Sequence, residues 1–411
     1  MSDNRRVQAT GPLAGLTVLD LTSVILGPLA TQMLGDMGAD VIKVESPDGD
    51  IIRYAEPARH RGMGAVFLNA NRNKRSIVID LKRPEGRGVV CDLARRADVF
   101  VHSMRPQAIA KLGLAYDDVA ALNSRIVYCS VWGFGSGGPY AERPAYDDVI
   151  QGMSGLSDLF ARRSGGAPEF APTILADKVT GITAYGAIVT ALLHRERTGR
   201  GQEVEVPMFE TMAAFNLVEH LAGEAFEPAV GPPGYDRTIA PERRPFQTAD
   251  GFIAVLPYTT QHWVRFFEAA GRPDLCTAPM VVDPVERSRN VRRLYAVVAE
   301  LIVGASTEAW LERLRAADIP CVPIMKLEDL ARDAHLQAVG FFGTREHPTE
   351  GTLRTTKVPV RFSDSPGDAF RSPPPGLGGD TRAVLTELGY DDRHIEALID
   401  AGAVRQAGEG V

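Results

Sequence analysis

Residues 17–45, TVLDLTSVILGPLATQMLGDMGADVIKVE, contain the pattern that decides the fold. The runs TVLDL and DVIKVE are short and largely apolar, and GPLATQMLGDMG between them has the length of a helix. A buried strand, a helix and a second buried strand in this order predict a right-handed crossover that joins two parallel strands. The segment therefore predicts the first unit of a parallel α/β sheet.

The same alternation continues through the first half of the chain. Further strands are predicted at SIVIDL (76–81), DVFVHS (98–103), RIVYCSV (125–131) and EVEVPM (203–208). A helix is predicted at 84–97, and a longer helix from about Val179 to Arg197. This alternation predicts a large, Rossmann-like, doubly wound parallel-sheet domain.

The pattern changes after residue 222, where the large domain (1–222) is interrupted. Residues 223–245 are proline-rich and lack periodicity, which predicts a linker. A smaller α/β domain is predicted at 246–335, with a hairpin that turns at 249–251. Residues 336–376 are interpreted as a return linker, and 377–411 as a C-terminal helical part that packs on the large domain.

Composition limits the class of function. The 411 residues are 45% hydrophobic and 24% charged, with a net charge of −7 and no densely basic stretch, so no nucleic-acid partner is expected. No apolar run has the length of a membrane span and no secretory signal is recognised, so we expect a cytoplasmic protein without a membrane partner. The four cysteines are far apart, as in a protein of a reducing compartment.

Common cofactor and metal motifs are missing from the sequence. The turn after the first strand has a single glycine, Gly27, where a dinucleotide site needs G-x-G-x-x-G, so an NAD enzyme is not expected. The eight histidines are isolated from one another, and neither H-E-x-x-H nor G-x-S-x-G occurs. No metal is expected. The basic segment 69–87 fits either a solvated loop or contacts to phosphate.

The acid of ILADKVTG (174–181), Asp177, precedes the long helix. An acid at a helix start satisfies free N–H groups and is worth about 0.3–1 kcal/mol, and the local pattern alone favours this capping role. Two features favour a functional role. Gly181 and Ala184 are small enough to let another backbone or a ligand approach, and the helix dipole is expected to keep the carboxylate ionised, as a nucleophile requires.

Six blocks in order along the chain carry a family resemblance. They are VLDLTSVILGPLATQMLGDMGADVIKVE, NKRSIVIDLKRPEG, ADVFVHSMRP with LGL, GFGSGGPYAERPAYDDVIQGMSG, ADKVTG with ALLHRERTGRGQEVEVPM, and DIPCVPI with DLARDAHLQAVG. These blocks resemble the family III CoA-transferases, the group that contains formyl-CoA transferase and the carnitine CoA-transferase. The similarity runs from Gly15 to about Gly389.

The resemblance implies an enzyme that moves CoA from an acyl-CoA thioester to a small free carboxylic acid. In the family, the acid that matches Asp177 is the covalent nucleophile, which forms an aspartyl anhydride and then an aspartyl-CoA thioester. Asp147, beside Tyr146 in PAYDD, is expected to orient a substrate or tune Asp177. The resemblance also implies an interlocked homodimer.

The resemblance further assigns the contacts to CoA. They are Val24 and Ile25 after the first strand, Ser46, Ile79, Lys82, Ser103, Met104, Lys111 and Tyr146. Ile25, Ser46 and Asp380 stand where formyl-CoA transferase relatives have a glutamine, an arginine and a histidine. These departures argue against formyl-CoA and oxalate as the substrates.

Two alternative functions remain open from the sequence. The α-methylacyl-CoA racemases share this fold and transfer a proton at the α-carbon, with a histidine in a GHD-type block. Tyr146 occupies the corresponding position here, which favours transfer over racemisation. The other alternative is a CoA-binding protein without catalysis, and the retained Asp177 block argues against it.

Overall fold

The structure is a computed structural model that describes residues 9–407. Its strands are β1 (Thr17–Leu21), β2 (Asp40–Glu45), β3 (Lys74–Ile79), β4 (Val99–His102), β5 (Val127–Trp132), β6 (Gln202–Pro207), β7 (Phe246–Gln247), β8 (Phe252–Val255), β9 (Cys321–Pro323), β10 (Phe342–His347), β11 (Gly351–Thr356) and β12 (Val404–Arg405).

Helices connect most of these strands. They are α1 (Leu26–Asp36), α2 (Ala65–Ala70), α3 (Pro84–Arg96), α4 (Pro106–Lys111), α5 (Tyr116–Leu122), α6 (Asp147–Met153), α7 (Leu156–Ser164), α8 (Leu175–Thr198), α9 (Met208–His220), α10 (Asp236–Ile239), α11 (Thr260–Ala269), α12 (Pro279–Val282), α13 (Pro284–Arg289), α14 (Val291–Ile302), α15 (Thr307–Ala316), α16 (Ala334–Ala338), α17 (Thr381–Leu388) and α18 (Asp392–Asp400). Short 3₁₀ turns lie at Ile51–Tyr54, Ala222–Ala225, Pro273–Leu275 and Leu327–Arg332.

The main sheet has seven strands in the order β12-β3-β2-β1-β4-β5-β6. β1 to β6 pair in parallel, and only β12 runs antiparallel, along β3. The order 3-2-1-4-5-6 is that of a doubly wound sheet, in which the chain changes direction between β1 and β4. The predicted α/β class with a large parallel sheet is therefore confirmed.

The strands of this sheet are buried on both faces, as parallel strands covered by helices must be. β4 and β5 are buried along their whole length. Leu19, Phe100 and Tyr128 lie in one apolar core, to which α17 and α18 contribute Leu385 and Ile395. The C-terminal helices thus complete the core of the main sheet.

Two compact units divide the chain. The first comprises the described residues up to Ser154, Ala171–Ala214 and the described residues from Ala334 onward. The second comprises Gly155–Phe170 and Phe215–Asp333. Residues 155–170 thus fall in the second unit, although the sequence analysis placed them in the large domain.

The second unit has a core and a sheet of its own. Trp263, Phe266 and Trp310 lie in its apolar core, and β7, β8 and β9 form an antiparallel sheet. The hairpin predicted to turn at 249–251 is confirmed, because β7 and β8 pair antiparallel on either side of that turn.

Part of the predicted return linker 336–376 is a hairpin in the first unit. β10 and β11 pair antiparallel from Phe342↔Thr356 to His347↔Gly351. Polar side chains occupy both faces of β11, so the sequence shows none of the apolar alternation by which a strand is recognised. Within residues 9–407, no helix combines the length and the apolar character that a membrane crossing requires.

Candidate active site

The loops at the carboxyl edge of the main sheet gather most of the predicted CoA contacts. Val24 and Ile25 follow β1, and Ser103 and Met104 follow β4. β1 and β4 are neighbours, and the chain reverses its winding direction between them. Doubly wound sheets bind ligands in the crevice at this point, just beyond the carboxyl ends of the strands.

The loop between β1 and α1 has an unusual backbone at Val24. The φ angle of Val24 is +70°, a left-handed conformation that a β-branched residue rarely adopts. Such a conformation costs about 1–3 kcal/mol and persists only where its surroundings hold it. The Val24 N–H donates a hydrogen bond to Oδ1 of Asp50 at 3.0 Å, which is one of the contacts that hold it.

Helix α8 packs its first turns against the start of α1. A Cβ atom at Gly181 would lie 2.7 Å from the carbonyl oxygen of Leu26, so this position requires a glycine. Asp177 precedes Gly181 by four residues and therefore lies on the same face of α8. This packing brings the first turn of α8 and the β1–α1 loop to the same end of the sheet.

Asp177 and Asp147 form a buried pair of carboxylates at the start of α8. Asp177 is 7% exposed and Asp147 is 9% exposed. The N–H of Asp177 donates to Oδ1 of Asp147 at 2.9 Å, so Asp147 provides the cap that Ile174, the residue before α8, does not. The cap that the local pattern predicted at this helix start is therefore provided by Asp147. Asp177 lies in the first turn of α8, and its own carboxylate does not cap the helix.

Gln151 holds the Asp147 carboxylate in place. Nε2 of Gln151 donates to Oδ2 of Asp147 at 2.6 Å, and its Oε1 accepts from the N–H of Ala171 at 2.9 Å. Gln151 is fully buried, one turn after Asp147 on α6. The sequence analysis missed it; the i, i+4 spacing of Asp147 and Gln151 on one helix face was the available signal.

The charge state of Asp177 differs from the sequence expectation. Burial, together with the nearby charge of Asp147, raises the pKa of Asp177 from its ordinary value of 3.8 to about 7. The sequence predicted an ionised carboxylate at this helix start, whereas with this pKa only about half of the Asp177 side chains are ionised at neutral pH. A carboxylic acid with a pKa near 7 is a group matched to work at neutral pH.

The predicted CoA contacts differ widely in how far their side chains are exposed to solvent. Ser46, Lys82, Lys111 and Tyr146 are exposed, with Tyr146 at 68%, and Val24, Ser103 and Met104 are half-buried. Ile25 and Ile79 are buried, and the side chain of Ile79 is 1% exposed in the core of the main sheet. Ile79 therefore has no side-chain surface to offer a ligand.

Three basic residues of segment 69–87, which was interpreted as a solvated loop or as contacts to phosphate, form ion pairs with acidic side chains. Arg72 pairs with Asp36, Lys74 with Asp20, and Arg75 with Asp40 and Glu387. They precede or begin β3 and so lie at the amino edge of the sheet, whereas ligands bind at the carboxyl edge. Arg72 and Lys74 are buried in these pairs, so neither a solvated loop nor phosphate contacts, the two interpretations of segment 69–87, describe them. Lys82, which follows β3, lies at the carboxyl edge.

Comparison with known proteins identifies the class to which this fold and site belong. A sequence model of the CoA-transferase family III matches residues 13–381. The chain belongs to this family and is an enzyme of the transferase class. The family and the enzyme class expected from the sequence are confirmed.

Individual relatives are similar over almost their full length. The succinyl-CoA:glutarate CoA-transferase of Mus musculus is 33% identical over 404 residues, covering 96% of this chain and 91% of the relative. A formyl-CoA:oxalate CoA-transferase of Streptomyces avermitilis is 33% identical over 423 residues, covering 96% of this chain and 100% of the relative. The crystal structure of a CaiB/BaiF family protein from Brucella suis superposes with a TM-score of 0.76 at 31% identity, covering 92% of this chain and 100% of that one.

Proposed function

We propose that the protein moves CoA from an acyl-CoA thioester to a small carboxylic acid, with Asp177 as the covalent nucleophile. The observation that carries the proposal is the buried pair of Asp177 and Asp147 in the first turns of α8 and α6. A nucleophilic carboxylate must reach the thioester in a place that water does not enter freely, because its acyl intermediates hydrolyse.

The reaction proceeds through two kinds of acyl intermediate. The Asp177 carboxylate attacks the thioester carbonyl of the donor, the C–S bond breaks, and an aspartyl anhydride and CoA thiolate result. The thiolate attacks the aspartyl carbonyl of the anhydride, which releases the donor acid and leaves an aspartyl-CoA thioester. The acceptor carboxylate attacks this thioester, and the released thiolate then takes the acceptor acyl group and restores Asp177. No proton or electron is gained or lost overall.

Asp147 tunes the nucleophile rather than attacking the substrate. Its carboxylate is occupied by the N–H of Asp177 and by Gln151. Its negative charge contributes to the raised pKa of Asp177, and a more basic carboxylate is a stronger nucleophile once it is ionised. Asp147 is therefore a positioning residue in this account.

CoA lies along the carboxyl edge of the main sheet. The half-buried Val24, Ser103 and Met104 offer backbone and apolar surface at the point between β1 and β4. The exposed ammonium groups of Lys82 and Lys111 can pair with phosphate groups. No group of three or more His, Cys, Asp or Glu side chains suited to a metal ion occurs in the described part of the chain.

A dicarboxylic acid is the best candidate for the acceptor. The relatives are named for transfer between succinyl-CoA and glutarate and between formyl-CoA and oxalate. Ile25 and Ser46 depart from the pattern of formyl-CoA transferase, which favours the succinyl-CoA and glutarate type. The interlocked homodimer and the cytoplasmic location stay predictions.

The test is a set of acyl-CoA donors and carboxylic acids analysed by mass spectrometry. With succinyl-CoA and glutarate, we expect a new thioester that carries the glutaryl group. If no donor and acid give a new thioester, but deuterium from the solvent enters the α-carbon of a branched acyl-CoA, the racemase alternative replaces this proposal. Binding of CoA without either reaction would identify a non-catalytic CoA-binding protein.

A further inference from the structure

A buried ion pair holds the β1–α1 loop on both sides of Ser23. Nζ of Lys43 donates to the carbonyl oxygen of Thr22 and to Oδ2 of Asp50, at 2.9 Å in each case. Oδ1 of Asp50 accepts from the N–H of Val24 at 3.0 Å. The side chains of Lys43 and Asp50 are 0% and 1% exposed. One ion pair thus fixes the peptide groups before and after Ser23.

Asp50 is itself held by a second buried pair. Its N–H donates to Oε2 of Glu45 at 3.1 Å, and Glu45 pairs with Arg53 at 2.6 Å. Asp50 also caps the 3₁₀ turn that begins at Ile51, because Oδ1 accepts from the N–H of Ile52. The anchor beneath the loop is therefore a rigid, hydrogen-bonded cluster.

Stability alone is a weak reason for such a pair. Burying two charges costs free energy, and a well-packed apolar pair is often as stable. Yet two of the groups bound by Lys43 and Asp50 are peptide groups of the loop, and the residue they fix, Val24, has a left-handed φ of +70°. An unsupported valine would leave this conformation for an extended or helical one.

We propose that Lys43 and Asp50 are positioning residues that hold Val24 in its left-handed conformation and so fix the β1–α1 loop where acyl-CoA binds. The inference rests on the proposed function for the place of CoA. Neither residue touches the reacting atoms. A relaxed loop would move out of the crevice between β1 and β4 and reduce the affinity for CoA.

The experiment measures the Kd of free CoA by calorimetry and the melting temperature of the full chain. Asp50→Asn keeps the shape of the side chain but offers Lys43 an amide instead of a carboxylate oxygen. We expect its Kd for CoA to rise about tenfold, the scale of one lost hydrogen bond to a charged group. Val24→Gly allows the same φ without strain, so its melting temperature should not fall, yet its Kd should also rise because the loop is no longer confined.

A matched control is Asp36→Asn. Asp36 forms a buried ion pair with Arg72 at 2.6 Å, but at the amino edge of the same sheet. This variant should lose stability with an unchanged Kd for CoA. In the double variant Val24→Gly, Asp50→Asn, the increase in Kd should be smaller than the product of the two single increases, since both changes release the same loop.

The outcomes separate this inference from the proposed function. If Asp50→Asn and Val24→Gly bind CoA as the wild type does, the pair is only structural and the inference is wrong. If Asp50→Asn does not fold, an unchanged Kd for CoA in Val24→Gly would by itself make the inference wrong. If the wild type itself does not bind CoA, the proposed function fails first.

Discussion

The Asp177 carboxylate is buried beside a second carboxylate, and this arrangement is costly for the folded protein. Because its pKa of about 7 in the folded state lies above its ordinary value of 3.8, the folded protein keeps a proton that the unfolded chain has lost between these pH values. Stability contributed by this group is therefore present below pH 4 and is lost as pH rises through about 7. A side chain placed at a cost to stability is typical of functional sites.

Asp177→Asn should therefore stop the reaction and stabilise the fold. We expect exchange of label between acyl-CoA and free acid to be abolished, while stability at pH 8 rises by up to about 4 kcal/mol, since one pKa unit corresponds to about 1.4 kcal/mol. Urea unfolding at pH 4 and pH 8 measures the effect. A gain of the same size at both pH values would contradict the assigned charge state.

Asp147→Asn should shift the pH dependence of the reaction. Removing the Asp147 charge removes one cause of the raised pKa of Asp177, so the apparent pKa of the rate should fall below about 7. The exposed neighbour Asp148 supplies the control, because Asp148→Asn should leave the profile unchanged. An unmoved midpoint in Asp147→Asn would mean that Asp147 acts only as a cap.

Helix α8 depends on a close approach to α1 that tolerates no side chain. Gly181→Ala would place a Cβ atom 2.7 Å from the carbonyl oxygen of Leu26, and we expect it to lower the free energy of unfolding by about 1–3 kcal/mol. Gly186→Ala, on the same helix, meets nothing within 4 Å and should stabilise by about 0.5–1 kcal/mol. Urea titration of both variants makes the comparison, and equal effects would contradict this packing.

The strands of the main sheet were predictable because burial on both faces makes them continuous apolar runs. TVLDL and DVIKVE form β1 and β2 with the predicted bounds. The hairpin β10–β11 carries polar residues, and β12 is two residues long, so neither shows a recognisable period. The amphipathic pattern of VERSRNVRRLYAVVAELIVG (285–304) predicts one helix, but the structure has α13 and α14 with a break at Asn290, which the pattern does not reveal.

The candidate site was predictable only in part. The motif resemblance pointed to Asp177 and Asp147, which the structure brings together. The roles of Lys43 and Asp50 depend on contacts between segments that the local sequence does not connect, whereas the i, i+4 spacing could have revealed the pairing of Gln151 with Asp147. The raised pKa of Asp177 likewise depends on burial, which a pattern at one helix start does not determine.

At the scale of the whole molecule, several large apolar side chains of the second unit are exposed to solvent. Val218 on α9 is 84% exposed, and Phe226 and Val230 after it are 59% and 73% exposed. Where exposed apolar side chains form one contiguous patch, an interface between subunits is the usual explanation. The interlocked homodimer implied by the resemblance would account for it.

Sedimentation equilibrium tests this assembly. We expect a dimer of the 411-residue chain at all working concentrations, because interlocked subunits do not separate without unfolding. We expect Val218→Asp to weaken the dimer. Asp148→Lys, which changes the charge at an exposed polar position, should leave the dimer intact. A fully active monomer would contradict the expectation.

Trapping the acyl intermediate tests the role of Asp177 as the covalent nucleophile. The wild-type protein is incubated with acyl-CoA and hydroxylamine, digested, and mapped by mass spectrometry. We expect a hydroxamate on Asp177 and no such product in Asp177→Ala. A hydroxamate on another residue, or continued transfer by Asp177→Ala, would show that Asp177 is not the nucleophile.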